Sequence, residues 1–327
     1  MALVIDRNLP ALVTLIIFVV AYAICAAQFP AMLSFRVIGD LLTDNAFLGI
    51  LAVGMTVVVV SGGIDLSVGA VIAFTGVLIA LAVGHMGMHP LAAFALVLAI
   101  AALFGAGVGA AIHYLQAPPF IVTLMAMFLA RGTCFLLTND SIPIRHNFYS
   151  TLENISISLP GGGRLSFIAM LMLVTVAIGA VLLHATRFGA NVFSLGGNRQ
   201  SAELMGVPIP RTTILVYCFS SVMAALAGIV FSIYTQAGYS LAAVGVELDA
   251  IAAVVIGGTL LSGGAGNMLG SLVGVMIQGL ILTYITFDGT LSSWWTKIAI
   301  GFLLFVFVGL QKLLVHLPEL RARRGFA

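Results

Sequence analysis

From position 46 to position 84 the chain reads AFLGILAVGMTVVVVSGGIDLSVGAVIAFTGVLIALAVG, and Asp65 is its single charged residue. A soluble helix keeps one polar face in water, and this stretch has none to offer. A helix that crosses the hydrocarbon of a bilayer needs about 20 mainly apolar residues. Segments of that kind recur at about 10–28, 45–61, 66–84, 91–115, 119–138, 166–184, 212–236, 249–262, 266–286 and 294–315. The eighth is short and rich in Gly and Ser. The chain therefore reads as an all-α polytopic membrane protein with about ten transmembrane helices. Composition agrees, with 61% hydrophobic and 7% charged residues, against roughly 45–50% and about 25% in soluble domains. Arg7 followed by ALVTLIIFVVAYAICAA has the outline of a signal peptide. The many later spans make an uncleaved first helix a sufficient targeting signal.

Charge sets the orientation. With the N-terminus in the cytoplasm and strict alternation, the inner side holds Arg7, Arg187, Arg199, Arg211, Lys312, Arg321, Arg323 and Arg324. The outer side holds Arg36, Arg145 and Arg164. That asymmetry is the positive-inside pattern, and it places both termini in the cytoplasm. Trp294 and Trp295 then fall at the outer interface, where amphipathic rings favour the headgroup level, and Lys297 beside them reads as an interface anchor. A net charge of +2 without a long basic run gives no surface for nucleic acid. Residues 139–165 form an outer loop and residues 185–211 an inner one, each too short for an enzyme domain. Energy for transport against a gradient would then come from an ion gradient or from another chain.

The polar residues within this apolar background are few. Asp65 opens the third span, where an acidic side chain can accept hydrogen bonds from unpaired amides at the positive end of the helix dipole. Gly62 and Gly63 allow the turn before it. A cap explains Asp65 without chemistry, and lining a substrate route is the second reading. Arg131 stands about 12 residues into its span from Pro119, roughly 18 Å along the axis. An arginine at that depth is usually paired and faces the bundle interior; pairing for structure and lining a polar route are both open. Glu247 and Asp249 begin the eighth span, as a solvated helix start or as an acidic docking point for an outer partner. Cys25, Cys134 and Cys218 lie in apolar segments and read as packing residues. His85 and His89 flank Gly87 and precede Pro90 in a loop, which argues against a metal site. SGGAGNMLGSLVG at 262–274 echoes the earlier SGG turn, and in the ten-span topology both turns face the same side. Either the echo is coincidence, the simpler expectation, or one of the short spans is a re-entrant segment. Gly266, Gly270 and Gly274 share one helical face and read as a close-packing stripe. No P-loop occurs, so ATP is not expected on this chain. The inner loop carries SAELMG between GGN and PIP, a short helix that serves either as a connector or as a knob for a cytoplasmic partner.

SGGIDLSVGA, PPFIVTL with Arg131-Gly132, RFGANVFSLGGNRQSAELMG and GGTLLSGGAGNMLGSLVG, in this order, resemble the permease subunits of ribose-type sugar ABC importers. The likeness covers about residues 8–315. GVELDAIAAVVIGGTLLSGG and FDGTLSSWWTKIAIG bring it nearest to the permeases of galactofuranose importers. The resemblance implies a single permease domain over 1–327, in the bacterial inner membrane and surrounded by lipid. It implies a separate ATP-binding subunit, a periplasmic sugar-binding protein and a second permease, here a paralogue. It also implies that the chain is not itself an enzyme and holds no cofactor or metal. The family's coupling helix corresponds to the loop at 185–211, around Gly196, Gly197, Asn198, Ser201, Ala202, Leu204, Met205 and Gly206. By the same likeness the fifth and tenth spans line the route. Pro118, Pro119 and Phe120 then stand near its inner gate, with Asp65, Thr123 and Arg131 as further route candidates. The carried sugar is expected to be galactofuranose, with ribose, xylose or a polyol as alternatives. A distant second class is an ion-coupled secondary transporter, which would need acidic groups buried mid-membrane. An intramembrane enzyme would need an acid–base or nucleophile set that the spans do not contain.

Overall fold

The computed structural model describes the backbone of residues 2–292 and 294–324, and the side chains of 11–292 and 294–309. Arg7, Lys312, Arg321, Arg323 and Arg324, counted above for the inner side, lie outside the described side chains. The fold is helical throughout: α1 (Ala2–Gln28), α2 (Phe35–Asp44), α3 (Ala46–Val60), α4 (Val68–Gly84), α5 (Pro90–Tyr114), α6 (Pro119–Leu137), α7 (Asn147–Asn154), α8 (Phe167–Ala185), α9 (Arg187–Gly197), α10 (Arg199–Leu204), α11 (Ile209–Thr235), α12 (Val246–Ile256), α13 (Met268–Asp288) and α14 (Trp294–Arg324). Two small antiparallel ribbons complete it. β1 (Ile142–Pro143) pairs with β4 (Ala237–Gly238), and β2 (Ser156–Ser158) with β3 (Arg164–Ser166).

Each expected span coincides with a helix, but the helices are not ten equal crossings. α1, α5, α6, α8, α11 and α13 are long and apolar enough to cross, and α2 with α3 forms a further span bent by 53°. α12 has 11 residues, about 16 Å at 1.5 Å per residue, or half of the ~30 Å hydrocarbon. Its position follows from α13. Gln278, midway along α13, donates from Nε2 to the carbonyl of Asp249 at 3.0 Å. The first turn of α12 is therefore level with the middle of α13, with Ala250 buried and Leu248 62% exposed. α4 begins at the same depth, because Gly69 in its first turn lies against the Glu247 carboxylate. Two helices thus start in the interior with their N-termini together, and run to opposite sides. Each is fed by a non-helical segment, 61–67 for α4 and 236–245 for α12. Hydropathy sees only an apolar run, so it cannot tell a buried half-helix from a crossing one. Such backbone is tolerated at membrane depth where protein encloses it.

α3 and α4 are buried on nearly every side, as helices without a polar face must be. α5, α8, α11, α12 and α13 surround them. α5 meets α11 through glycine: a Cβ on Gly109 would stand 2.7 Å from the Cα of Ile214, and one on Gly105 2.6 Å from Ser221 Oγ. Gly270 and Gly274 press in the same way on Gly257 and Ala253, so the glycine stripe of α13 does pack α12. The two SGG turns are not a coincidence of sequence alone, for they touch: Gly264 N donates to Val60 O at 2.8 Å. The ends of α3 and α12 also share one geometry. Gly62 (φ 81°) and Gly258 (φ 92°) take left-handed conformations. The Gly62 and Gly63 amides bond Val59 O and Val58 O, as those of Gly258 and Thr259 bond Val255 O and Val254 O. This is the Schellman helix end in both cases.

Candidate functional site: the half-helix junction and the inner loop

Asp65 is the centre of the turn between α3 and α4, and only 1% of it is exposed. Its Oδ1 accepts from the Ser67 amide at 2.9 Å and from Ser67 Oγ at 2.6 Å. Its Oδ2 accepts from Ser220 Oγ of α11 at 2.7 Å. The carboxylate therefore ties the turn to itself and to the central helix. This differs from a simple cap, because Ser67 stands at the cap position of α4 and no side chain accepts from the first-turn amides there. A carboxylate in low dielectric is tolerated when donors satisfy it, and here three do. Tyr217, one turn before Ser220, lies against Gly63, and its buried hydroxyl has no hydrogen-bond partner. Thr123 Oγ1 of α6, also buried, bonds Pro119 O at 2.9 Å and reaches Ile64 O at 3.4 Å.

The second feeding segment is held by Arg131. Its guanidinium donates to the carbonyls of Ser240 at 2.6 Å and Ala242 at 2.7 Å. Ser240 Oγ adds a bond to Thr138 O at the end of α6. A helix-deficient segment at this depth needs donors for its carbonyls, and a fully charged guanidinium supplies them with geometric precision. Beyond it, Glu247 accepts from the Gly245 amide at 3.3 Å through Oε1, while Oε2 is buried without a partner beside Gly69. The carboxylate thus sits at the positive N-terminal ends of α4 and α12 together. Asp249, one half-turn on, pairs with Lys297 of α14 at 2.5 Å.

The structure therefore brings Asp65 and Thr123 together on one feeding segment, and Arg131 and Glu247 on the other, with Gly69 between. Pro118, Pro119 and Phe120 begin α6 directly beside Thr123, whose Oγ1 bonds Pro119 O, and Phe120 is half exposed. Sequence reading missed Ser67, Gly69, Ser220, Ser240 and Gln278. The Ser220-Ser221 pair and Gln278, polar residues inside apolar spans, were usable signals; Ser67, Gly69 and Ser240 have none.

The inner loop folds as α9 and α10. Asn198 Oδ1 caps α10 by accepting from the Ser201 amide at 2.8 Å. Ala202 is buried, whereas Leu204 and Met205 are 84% and 70% exposed. Gly196 is wedged between the two SGG turns. A Cβ there would overlap the Val60 carbonyl oxygen and stand 2.7 Å from Gly264 N, and one on Gly264 would stand 2.8 Å from Gly197 Cα. Three glycine segments from distant parts of the chain thus interlock backbone to backbone. Among the described residues, no group of three or more His, Cys, Asp or Glu is placed to hold a metal ion.

Residues 37–308 match the family described as the permease component of the branched-chain amino acid transport system. The inner membrane ABC transporter permease protein YjfF of Escherichia coli is 60% identical over 97% of this chain and 96% of its own length. The chain belongs to the ribose-type ABC permease family. The fructose import permease protein FruG of Bifidobacterium longum is 39% identical over 94% of this chain and 92% of its own. For the ribose import permease protein RbsC of Escherichia coli the figures are 34%, 91% and 93%. No solved structure matches the chain significantly. Family membership makes this a multi-pass inner membrane protein and a transport component of an ABC system, and the family implies an ATPase and a substrate-binding protein as partners.

Proposed function

We propose that the chain is a permease subunit that imports a monosaccharide across the bacterial inner membrane, driven by ATP hydrolysed on a separate subunit. Galactofuranose is the sugar in this reading, supported by the sequence motifs at 245–264 and 287–301. The relatives named for ribose and fructose import support a sugar more broadly. A paralogous permease completes the route, a periplasmic binding protein delivers the sugar, and both termini lie in the cytoplasm. The inner loop, with Gly196, Gly197, Asn198, Ser201, Ala202, Leu204, Met205 and Gly206, is the coupling element. The observation that carries the proposal is the glycine interlock. Gly196 touches the ends of α3 and of the α12–α13 turn at once, so a push on α9 and α10 is delivered to both half-helix units. Asp65 and Thr123, and Arg131 with Glu247, are then the fixed points about which the feeding segments shift, and Pro118–Phe120 form the inner gate.

Met205→Arg tests this. Met205 is exposed, so the protein folds and inserts, but the apolar tip offered to the ATPase is lost. ATP-driven uptake is expected to fall at least about tenfold, equal to roughly 1.4 kcal/mol of lost coupling, with basal hydrolysis retained. Normal uptake in this variant would remove the inner loop from the coupling role.

A further inference from the structure

A crevice of about 400 Å³ opens between the first turns of α9 and α11. Arg187 and Arg211 line it with Asn191, Thr212, Phe188 and Leu215. No carboxylate lines it, and among the described residues neither arginine has an ion-pair partner. Two like charges facing one space repel each other unless an anion lies between them. Arg187 follows directly on the end of α8 and Arg211 begins α11, so both guanidiniums stand at the boundary where spans leave the hydrocarbon. The wall on the membrane side is apolar. Leu215 is 41% exposed, and Phe188 packs against Phe219 with ring centroids 6.3 Å apart.

We infer that this crevice binds the phosphate of an anionic phospholipid, with Arg187 and Arg211 clamping the headgroup and an acyl chain lying over Leu215. Guanidinium forks match phosphate oxygens bidentately. Asn191 and Thr212 supply an amide and a hydroxyl for the remaining oxygens, and basic pockets between spans on the cytoplasmic side suit such headgroups. The exposed Leu215 favours a lipid over an acidic protein surface, because a soluble partner at the membrane boundary would leave it uncovered. Assignment to the inner leaflet rests on the orientation proposed above; lipid binding itself does not. The site lies at the root of the inner loop, so the lipid would brace α9 against α11 while the loop is pushed.

The test is native mass spectrometry of the full-length chain, purified in neutral detergent and offered phosphatidylglycerol, cardiolipin or phosphatidylcholine. The wild type should keep one anionic lipid more tightly than phosphatidylcholine. R187Q/R211Q should bind that lipid about fivefold more weakly per arginine, roughly 25-fold in all, from the ordinary worth of a basic residue at an anionic surface. R187K/R211K should keep most of the affinity, which separates loss of charge from misfolding. Equal retention by the wild type and R187Q/R211Q would overturn the inference. Displacement of the lipid by millimolar inorganic phosphate would also overturn it, in favour of a soluble oxyanion. So would loss of the ATPase subunit from R187Q/R211Q when the complete transporter is co-purified, with lipid binding unchanged, because the crevice would then be a protein contact. Lipid retention is read without transport, so failure here leaves the importer reading standing, and failure of uptake leaves this one standing.

Discussion

Asp65 shows how one buried charge can serve structure in an apolar surrounding. Three donors converge on it, two from Ser67 and one from Ser220. Asp65→Leu would remove every acceptor and strand the Ser67 amide with the Ser67 and Ser220 hydroxyls, a loss of at least about 3 kcal/mol for three orphaned buried donors. Asp65→Asn keeps Oδ1 for Ser67, and its amide can donate to Ser220 Oγ, so the loss should be roughly 1 kcal/mol. Thermal unfolding in detergent should rank them wild type, Asn, Leu, and uptake should follow the same order. Equal loss of uptake in both, with unequal stability, would mean that the negative charge itself acts in transport. The sequence motif located this residue and suggested a helix-start role, because an acidic side chain where an apolar span opens can accept from unpaired amides. It could not show Ser220, which lies 155 positions away. Glu247 and Asp249 were legible as acidic residues at a helix start. Their engagement with Gly69 and Lys297 was not, because it depends on how deep α12 begins.

At the scale of elements, the interlock of Gly62–Gly63, Gly196–Gly197 and Gly263–Gly264 makes a sharp contrast between neighbours. Gly196 has no room for a Cβ, whereas a Cβ on Gly197 meets nothing within 4 Å. Gly196→Val should therefore separate the inner loop from the two turns and abolish uptake while ATP hydrolysis continues. Gly197→Ala should be neutral or stabilise by up to about 1 kcal/mol, the advantage of Ala over Gly in a helix, and leave uptake intact. Comparable uptake in the two variants would contradict the interlock as the transmitting contact. The repeated SGG was visible in sequence, but its meaning lay in packing. The helix ends that share one geometry pair Gly62 with Gly258, a correspondence offset from the motif itself. Local chemistry fixed helix positions well, since every apolar segment became a helix. It could not separate full spans from half-helices, because length in an apolar run does not report where the run starts.

Across the whole molecule, α4 and the short α12 with joined N-termini, their two feeding segments and the loop of α9 and α10 form one connected unit. Arg131 is its counterpart to Asp65, each fixing one feeding segment, the first by donating to carbonyls and the second by accepting from hydroxyls. Discontinuous helices meeting at mid-depth are a recurrent way to build a transport site that can change access without unfolding. The membrane class and the approximate span number could be read from composition and motifs, whereas the junction is a tertiary feature. The central claim is that this chain is the membrane route of a sugar importer. The most direct measurement is ATP-dependent uptake of labelled galactofuranose, ribose and galactopyranose into vesicles containing the complete transporter. Vesicles lacking only this chain are the comparison. The account predicts that galactofuranose uptake is lost without this chain, with the other two sugars unaffected. ATP-driven accumulation of galactofuranose that persists in its absence would contradict it.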